Sequence, residues 1–220
     1  PRARRQGVFR RLTLEAVDAA RDDGTDLIFN TPNPRSGAGY ISMGWVEVGG
    51  IGVMVRPRLS GLVRRTTSQP DVQQCGPWDG RSVPDRQPRG LRTPRTAEYL
   101  RWRFTDHPTA GYGVVDVHGG AAVVRPNLRR SRPELIVSDL FGEAAGRAVR
   151  RAAHQTDAAY LVGWFSPGTP ERRAAVAAAM VPLPGIRSLT LLARPLRTDL
   201  PMDVADLRSW DLAISDLELL

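Results

Sequence analysis

The residues best placed to do chemistry are basic and lie together. Arg2, Arg4, Arg5, Arg10 and Arg11 flank a single glycine, Gly7, where the chain runs into an amphipathic segment. A helix N-terminus carries unpaired amide N–H groups and the positive end of the peptide dipole, so it favours anions. Glycine at that entry lets the main chain approach an anion with no Cβ in the way. Guanidinium groups match phosphate in shape as well as in charge. The stretch Arg4, Arg5, Gln6, Gly7, Val8, Phe9 and Arg10 therefore reads as a cradle for a pyrophosphate. It reads equally as the solvated basic start of a surface helix, and these residues alone do not choose between the two.

The other reactive residue types are sparse. His107, His118 and His154 lack metal-ligand spacing, so no metal site is expected. Cys75 stands alone in a Gly/Pro-rich stretch and is read as incidental. A lone cysteine forms no intrachain disulfide, which fits a reducing, cytoplasmic setting. All 31 basic residues are arginine, and the net charge is +8. That charge suits a nucleic acid, an anionic membrane surface or a polyanionic small molecule. It is spread in clusters at 2–11, 56–65, 125–132 and 147–151, with no aromatic interleaving and no DNA-binding motif. A nucleic-acid partner is accordingly not expected. No apolar run approaches the roughly 20 residues of a membrane span, and no apolar core follows the N-terminal arginines as in a signal peptide.

The elements that must position the basic turn follow from periodicity. Phe9, Leu12, Ala16 and Ala20 recur at helical spacing, which predicts a helix from Phe9 to Asp23 with Gly24 as its stop. Leu27-Ile28-Phe29 reads as a buried strand, and Asn30 to Pro34 as a turn. A short helix from Ser36 to Met43 ends at Gly44, and strand character returns at Trp45–Val48 and Ile51–Val55. A helix that starts almost at residue 1 behind a phosphate turn reads as a chain entered in mid-domain.

Arg4-Arg5-Gln6-Gly7-Val8-Phe9 resembles the acyl-CoA signature of the GCN5-related N-acetyltransferases, the GNAT superfamily: Arg/Gln, two residues, Gly, one residue, then Gly or Ala. Tyr40-Ile41-Ser42-Met43-Gly44-Trp45 resembles the segment that closes the second conserved helix of that superfamily. Phe9 departs from the pattern, because most members have a small residue there. The resemblance implies an α/β (α+β) GNAT-like fold, a mixed sheet flanked by helices, with acetyl-CoA as acyl-donor cosubstrate and a primary amine as acceptor. It implies that amides from Arg5 to Phe9 hold the pyrophosphate, with Arg4 opening the signature. It implies that Asn30 or Asn33 faces the pantetheine arm, and that Tyr40 gives a proton to the departing thiolate. Phenols keep their proton at neutral pH, which suits that donation. Without the resemblance, Tyr40 reads as a packed aromatic and the two asparagines as turn formers. Glu47 is the carboxylate of this segment nearest to a general-base candidate, and its strand position also suits plain solvent exposure.

From Arg58 to Thr96 the chain is rich in Arg, Pro, Gly, Ser and Gln, the composition of a solvated linker. Beyond it the pattern predicts a helix over 97–104, a hairpin around His118-Gly119-Gly120, strands at 134–140, 159–165 and 188–193, and helices at 142–153 and 171–180. Residues 210–218 read as a last strand. Strand, helix, strand, helix, strand over 134–193 resembles a degenerate second GNAT-like half. The organisation expected is 1–57 as the back part of a GNAT domain, 58–96 as linker and 97–220 as the second half. Gly142 lacks flanking arginines, so no second coenzyme is expected there; Trp102, Asp139, Trp164 and Phe165 read as core or as lining of an acceptor pocket. Two functions follow: an acyl-CoA-dependent N-acyltransferase, or a GNAT-like module that binds a partner or acyl-CoA without turnover.

Overall fold

Apolar spacing of 3.6 and of 2 alternates along the chain, and the secondary structure follows it. The computed structural model describes residues 7–58, 69–70, 86–183 and 189–217. In chain order the elements are α1 (Val8–Asp22), β1 (Leu27–Asn30), α2 (Gly37–Ser42), β2 (Val46–Ile51) and β3 (Val53–Pro57). Then come α3 (Ala97–Leu100), which widens into a π-helical turn over Arg101–Thr105, and β4 (Gly113–Val117), β5 (Gly120–Arg129) and β6 (Arg132–Phe141). The series closes with α4 (Ala145–Gln155), β7 (Tyr160–Gly163), α5 (Pro170–Ala177), β8 (Val181–Leu183) and β9 (Leu189–Pro195). Residues 210–217 are not a strand as expected: Trp210 and Ala213 make isolated pairings with Leu91 and Phe165, and Ile214–Asp216 is a 3₁₀ turn.

The described residues fall into two compact units, one drawn from Pro1–Ile51 with Ser188–Ser209, the other from Gly52–Arg187 with Trp210–Leu220. Neither is a contiguous stretch. In the first, β9 is the middle strand of a three-stranded sheet ordered β1-β9-β2, antiparallel to both neighbours. Val17 of α1, Met43, Trp45 and Leu192 bury together against it. In the second, six strands run β4-β5-β6-β7-β3-β8. The β6–β7 pair is parallel, bridged by α4, and the other pairs are antiparallel, so the sheet is mixed.

Alternation puts Ala122, Val124, Leu135 and Val137 on the face covered by α4, whose Ala145, Ala148, Val149 and Ala152 are buried there. Small residues let that helix lie close. A Cβ at Gly146 would sit 2.8 Å from the carbonyl oxygen of Ala174 on α5. The opposite face carries Leu100, Phe104, Val114, Val123 and Phe141. A bulge shifts the register so that Val123 faces Asp139 while Val124 faces Val137, leaving Ser138 as the extra residue. The bulge reverses the parity of β6. Asp139 thereby leaves the apolar α4 face for the side where Arg95 and Ser215 await it.

Candidate functional site

The α1 N-terminus sits in the first unit. Gly7 has φ +67°, a left-handed conformation that a Cβ would strain, and among the described residues nothing lies within 4 Å of where that Cβ would stand. Among the described residues no side chain caps the helix, and no acidic residue occupies its first turn. The amide of Arg11 is bonded to the Gly7 carbonyl at 3.0 Å. Helix geometry therefore leaves the amides of Val8, Phe9 and Arg10 without an intrahelical acceptor. Arg10 is exposed, and its guanidinium reaches the Ser42 carbonyl at 3.4 Å. Arg4, Arg5 and Gln6 lie outside the described residues, as does Cys75.

Phe9 turns its ring onto α2. Its Cε1 would stand 3.1 Å from a Cβ at Gly39, and its ring meets Tyr40 edge-on at 5.3 Å and 88°. Tyr40 meets Trp45 on another side at 5.0 Å and 64°. Arg194 of β9 lies over the Trp45 ring and donates to the carbonyl of Met43. Phe9 and Tyr40, two residues singled out separately in the sequence, are thus brought into contact. Trp45 and Arg194 complete the aromatic stack. Sequence reading missed Arg194, because nothing local in Ala193-Arg194-Pro195 signals a partner in the first helix pair.

The two asparagines separate. Asn33 Oδ1 accepts from the amides of Arg35 and Ser36 at 2.9 and 3.1 Å, so its side chain is spent on the turn into α2. Asn30, half-buried at the end of β1, keeps a buried Oδ1 that accepts no hydrogen bond among the described residues. Asn30 and Glu47 share one cross-strand row, each opposite Leu192 of β9. Glu47 is exposed.

In the second unit, two arginines expected in a solvated linker are instead tied down. Arg86 forks onto Glu171 at 2.8 and 2.7 Å and reaches Asp211 at 2.5 Å. The Glu171 hydrogen bond holds the Arg86 guanidinium above its ordinary pKa. Arg95, 4% exposed, forks onto Asp216 at 2.7 Å and lies 2.8 Å from Asp139. Burial opposes the Arg95 charge, but Asp139 and Asp216 outweigh it, and its pKa is raised. Burial pushes Asp139 up to about 6, against the pull of Arg95. Burial also pushes the Tyr99 phenol up to about 12. These clusters bind the 86–96 segment to the sheet and to residues 210–217; they are a structural device.

The four residues read as core or as acceptor-pocket lining divide by exposure. Trp102 is 60% exposed, whereas Asp139, Trp164 and Phe165 are buried. The second unit does hold a cavity of about 390 Å³, lined by Arg86, Arg92, Phe141, Glu143 and Glu171 among others, and by none of those four. Among the described residues no helix is long and apolar enough to cross a membrane.

No family model matches the chain, and no curated protein matches it by sequence. Solved structures match its fold. A GCN5-related N-acetyltransferase from Anabaena variabilis ATCC 29413 aligns with a TM-score of 0.50 at 14% identity, over 90% of this chain and 53% of that one. A GCN5-related N-acetyltransferase from Kribbella flavida aligns with a TM-score of 0.51 at 15% identity, over 89% and 50%. The chain thus spans about half the length of these structures. The likeness shows the fold: mixed α/β, with a mixed sheet flanked by helices, as in GNAT acyltransferases.

Proposed function

We propose that this chain is part of a GNAT-type N-acetyltransferase of the cytoplasm, which moves an acetyl group from acetyl-CoA to a primary amine by direct attack. The observation that carries this is the Gly7 turn: a left-handed glycine opens a helix with no side-chain cap among the described residues, and the second residue of that helix, Phe9, touches Tyr40. These residues fit the coenzyme. The amides of Val8, Phe9 and Arg10 suit a pyrophosphate, and the arginines before Gly7 add charge. Of the two candidate asparagines, Asn30 has the free oxygen and suits an amide of the pantetheine arm. The bound thioester supplies the activated acyl group. Tyr40 then serves as the proton donor to the thiolate as it leaves, and the protein otherwise positions the reactants and manages protons. Residues 97–220 are read as a degenerate second GNAT-like half in a tandem arrangement.

A second reading, a module that binds a partner or acyl-CoA without turnover, draws on the shortage of a general base. The three histidines all lie in 107–154, outside the first unit. In that unit Glu15, Asp18 and Asp26 are paired with Arg11, Arg21 and Arg197. Asp199 and Asp206 are paired with Arg197 and Arg208, and Asp22, Asp23, Glu47 and Asp203 are exposed.

Calorimetry with acetyl-CoA, followed by thiol release over a panel of amines, separates the readings. Thiol release that Tyr40→Phe lowers while coenzyme affinity holds supports the enzyme. Binding without release supports the module, and no binding ends both coenzyme readings.

A further inference from the structure

The small residue expected two positions after Gly7 is a phenylalanine here, and the structure shows where its bulk goes. Phe9 leaves the amide turn and fills the space above Gly39, where a Cβ would be 3.1 Å from its ring. Any residue other than glycine at 39 would press on that ring. Phe9 is 47% exposed, so burial alone does not account for its position. What holds it is the edge-on contact with Tyr40. Tyr40 is gripped on two sides: by buried Trp45, which Arg194 covers, and by Phe9, which belongs to the first turn of another helix. The Trp45 side is built into the core of the unit. The Phe9 side is built on the three amides that lack intrahelical acceptors.

We propose that Phe9 is a positioning residue that couples occupancy of the Gly7 turn to the orientation of the Tyr40 phenol. An anion on the amides of Val8, Phe9 and Arg10 orders the first turn of α1. The Phe9 ring is carried on that turn, and through its contact above Gly39 it fixes one side of Tyr40. The proton donor is therefore set in place when the coenzyme's pyrophosphate arrives. This deepens the coenzyme reading and rests on it. Phe9 itself touches no reacting atom.

The test follows Tyr40 directly and needs no acceptor. The chain contains four tyrosines. With 3-fluorotyrosine incorporated, the resonance of residue 40 is assigned by its loss in Tyr40→Phe. Coenzyme A is then titrated into the wild-type chain, Phe9→Leu and Phe9→Trp, with affinity read in parallel by calorimetry. In the wild type the Tyr40 signal shifts with the binding isotherm. In Phe9→Leu coenzyme A still binds, within about threefold, but the Tyr40 shift is mostly lost; Phe9→Trp restores it. Where an acceptor amine is in hand, Phe9→Leu lowers kcat about tenfold with little change in the KM for acetyl-CoA. An equal Tyr40 shift in Phe9→Leu and wild type overturns the coupling while leaving the coenzyme reading intact. Failure of coenzyme A to bind the wild-type chain overturns both.

Discussion

Arg194 lies with its guanidinium 4.9 Å above the ring centre of Trp45 and donates Nη1–H to the carbonyl of Met43 at 2.5 Å. The donor and this acceptor are 151 residues apart in sequence. The contact ties the middle strand of the first sheet to the end of α2, directly behind Tyr40. Arg194→Ala removes a cation–π contact on a buried indole and a hydrogen bond, with an expected loss of about 1–3 kcal/mol. Arg194→Lys recovers only part, because an ammonium cannot lie flat on the ring. Denaturant midpoints of the three proteins check this; equal midpoints contradict it.

Arg95 is the counterpart in the second unit. Its side chain is 2% exposed, and those of Asp139 and Asp216 are 3% and 0%. Arg95→Ala leaves two carboxylates buried without their cation, which costs about 3–5 kcal/mol. Arg95→Met combined with Asp139→Asn and Asp216→Asn removes the charges together and should cost clearly less. Unfolding free energies for the single and triple variants test the ordering; a triple variant weaker than Arg95→Ala is the contrary result.

Asp139 gives the second unit a pH signature. Burial raises its pKa to about 6 from 3.8, Arg95 works in the opposite direction, and Asp216 adds to the rise. The folded chain keeps a proton that the unfolded chain releases between those values. Its contribution to stability is complete below the unfolded pKa and is lost as pH rises through the folded one, on the order of 1–3 kcal/mol. The stability difference between wild type and Asp139→Asn, measured from about pH 4 to about pH 7, should move against the wild type as pH rises and then level. A flat difference, or one moving the other way, refutes the assignment.

Two glycines of similar backbone separate strain from crowding. Gly142 has φ +75°, and a Cβ there would stand 2.5 Å from the carbonyl oxygen of Gly119; Gly168 has φ +79°, and a Cβ there would meet nothing within 4 Å among the described residues. Gly168→Ala should cost about 1–2 kcal/mol, the left-handed penalty alone. Gly142→Ala adds displacement of backbone and should cost at least about 2 kcal/mol more. Comparable melting temperatures for the two variants would count against this local geometry.

Much of this architecture is legible locally. The spacing of Phe9, Leu12, Ala16 and Ala20 marks α1, and Val8–Asp22 is its observed span. The runs at 134–140 and 159–165 mark the two strands that pair in parallel as β6 and β7. The pairing of β9 with β1 and β2, and of β3 with β7 and β8, is not legible, because the partners are far apart in sequence. The bulge at Ser138 likewise leaves no signature in composition, yet it decides which face Asp139 takes. Arginines in a Pro/Gly-rich stretch look solvated until their carboxylate partners, Asp211 and Asp216, are seen to come from the other end of the chain. At the candidate site, residue types pointed to the Gly7 turn, whereas Tyr40 was singled out only by the family resemblance. Only the structure divides Asn30 from Asn33, since a free and a turn-bound amide look the same in sequence.

The central claim is that a pyrophosphate rests on the main-chain amides that open α1. Titrating acetyl-CoA into the nitrogen-15-labelled chain, with amide resonances assigned, tests it most directly. The amides of Gly7, Val8, Phe9 and Arg10 are predicted to show the largest shifts, following the same isotherm as the calorimetric binding curve. Saturable binding that leaves those amides unmoved, or no binding at all, would contradict it.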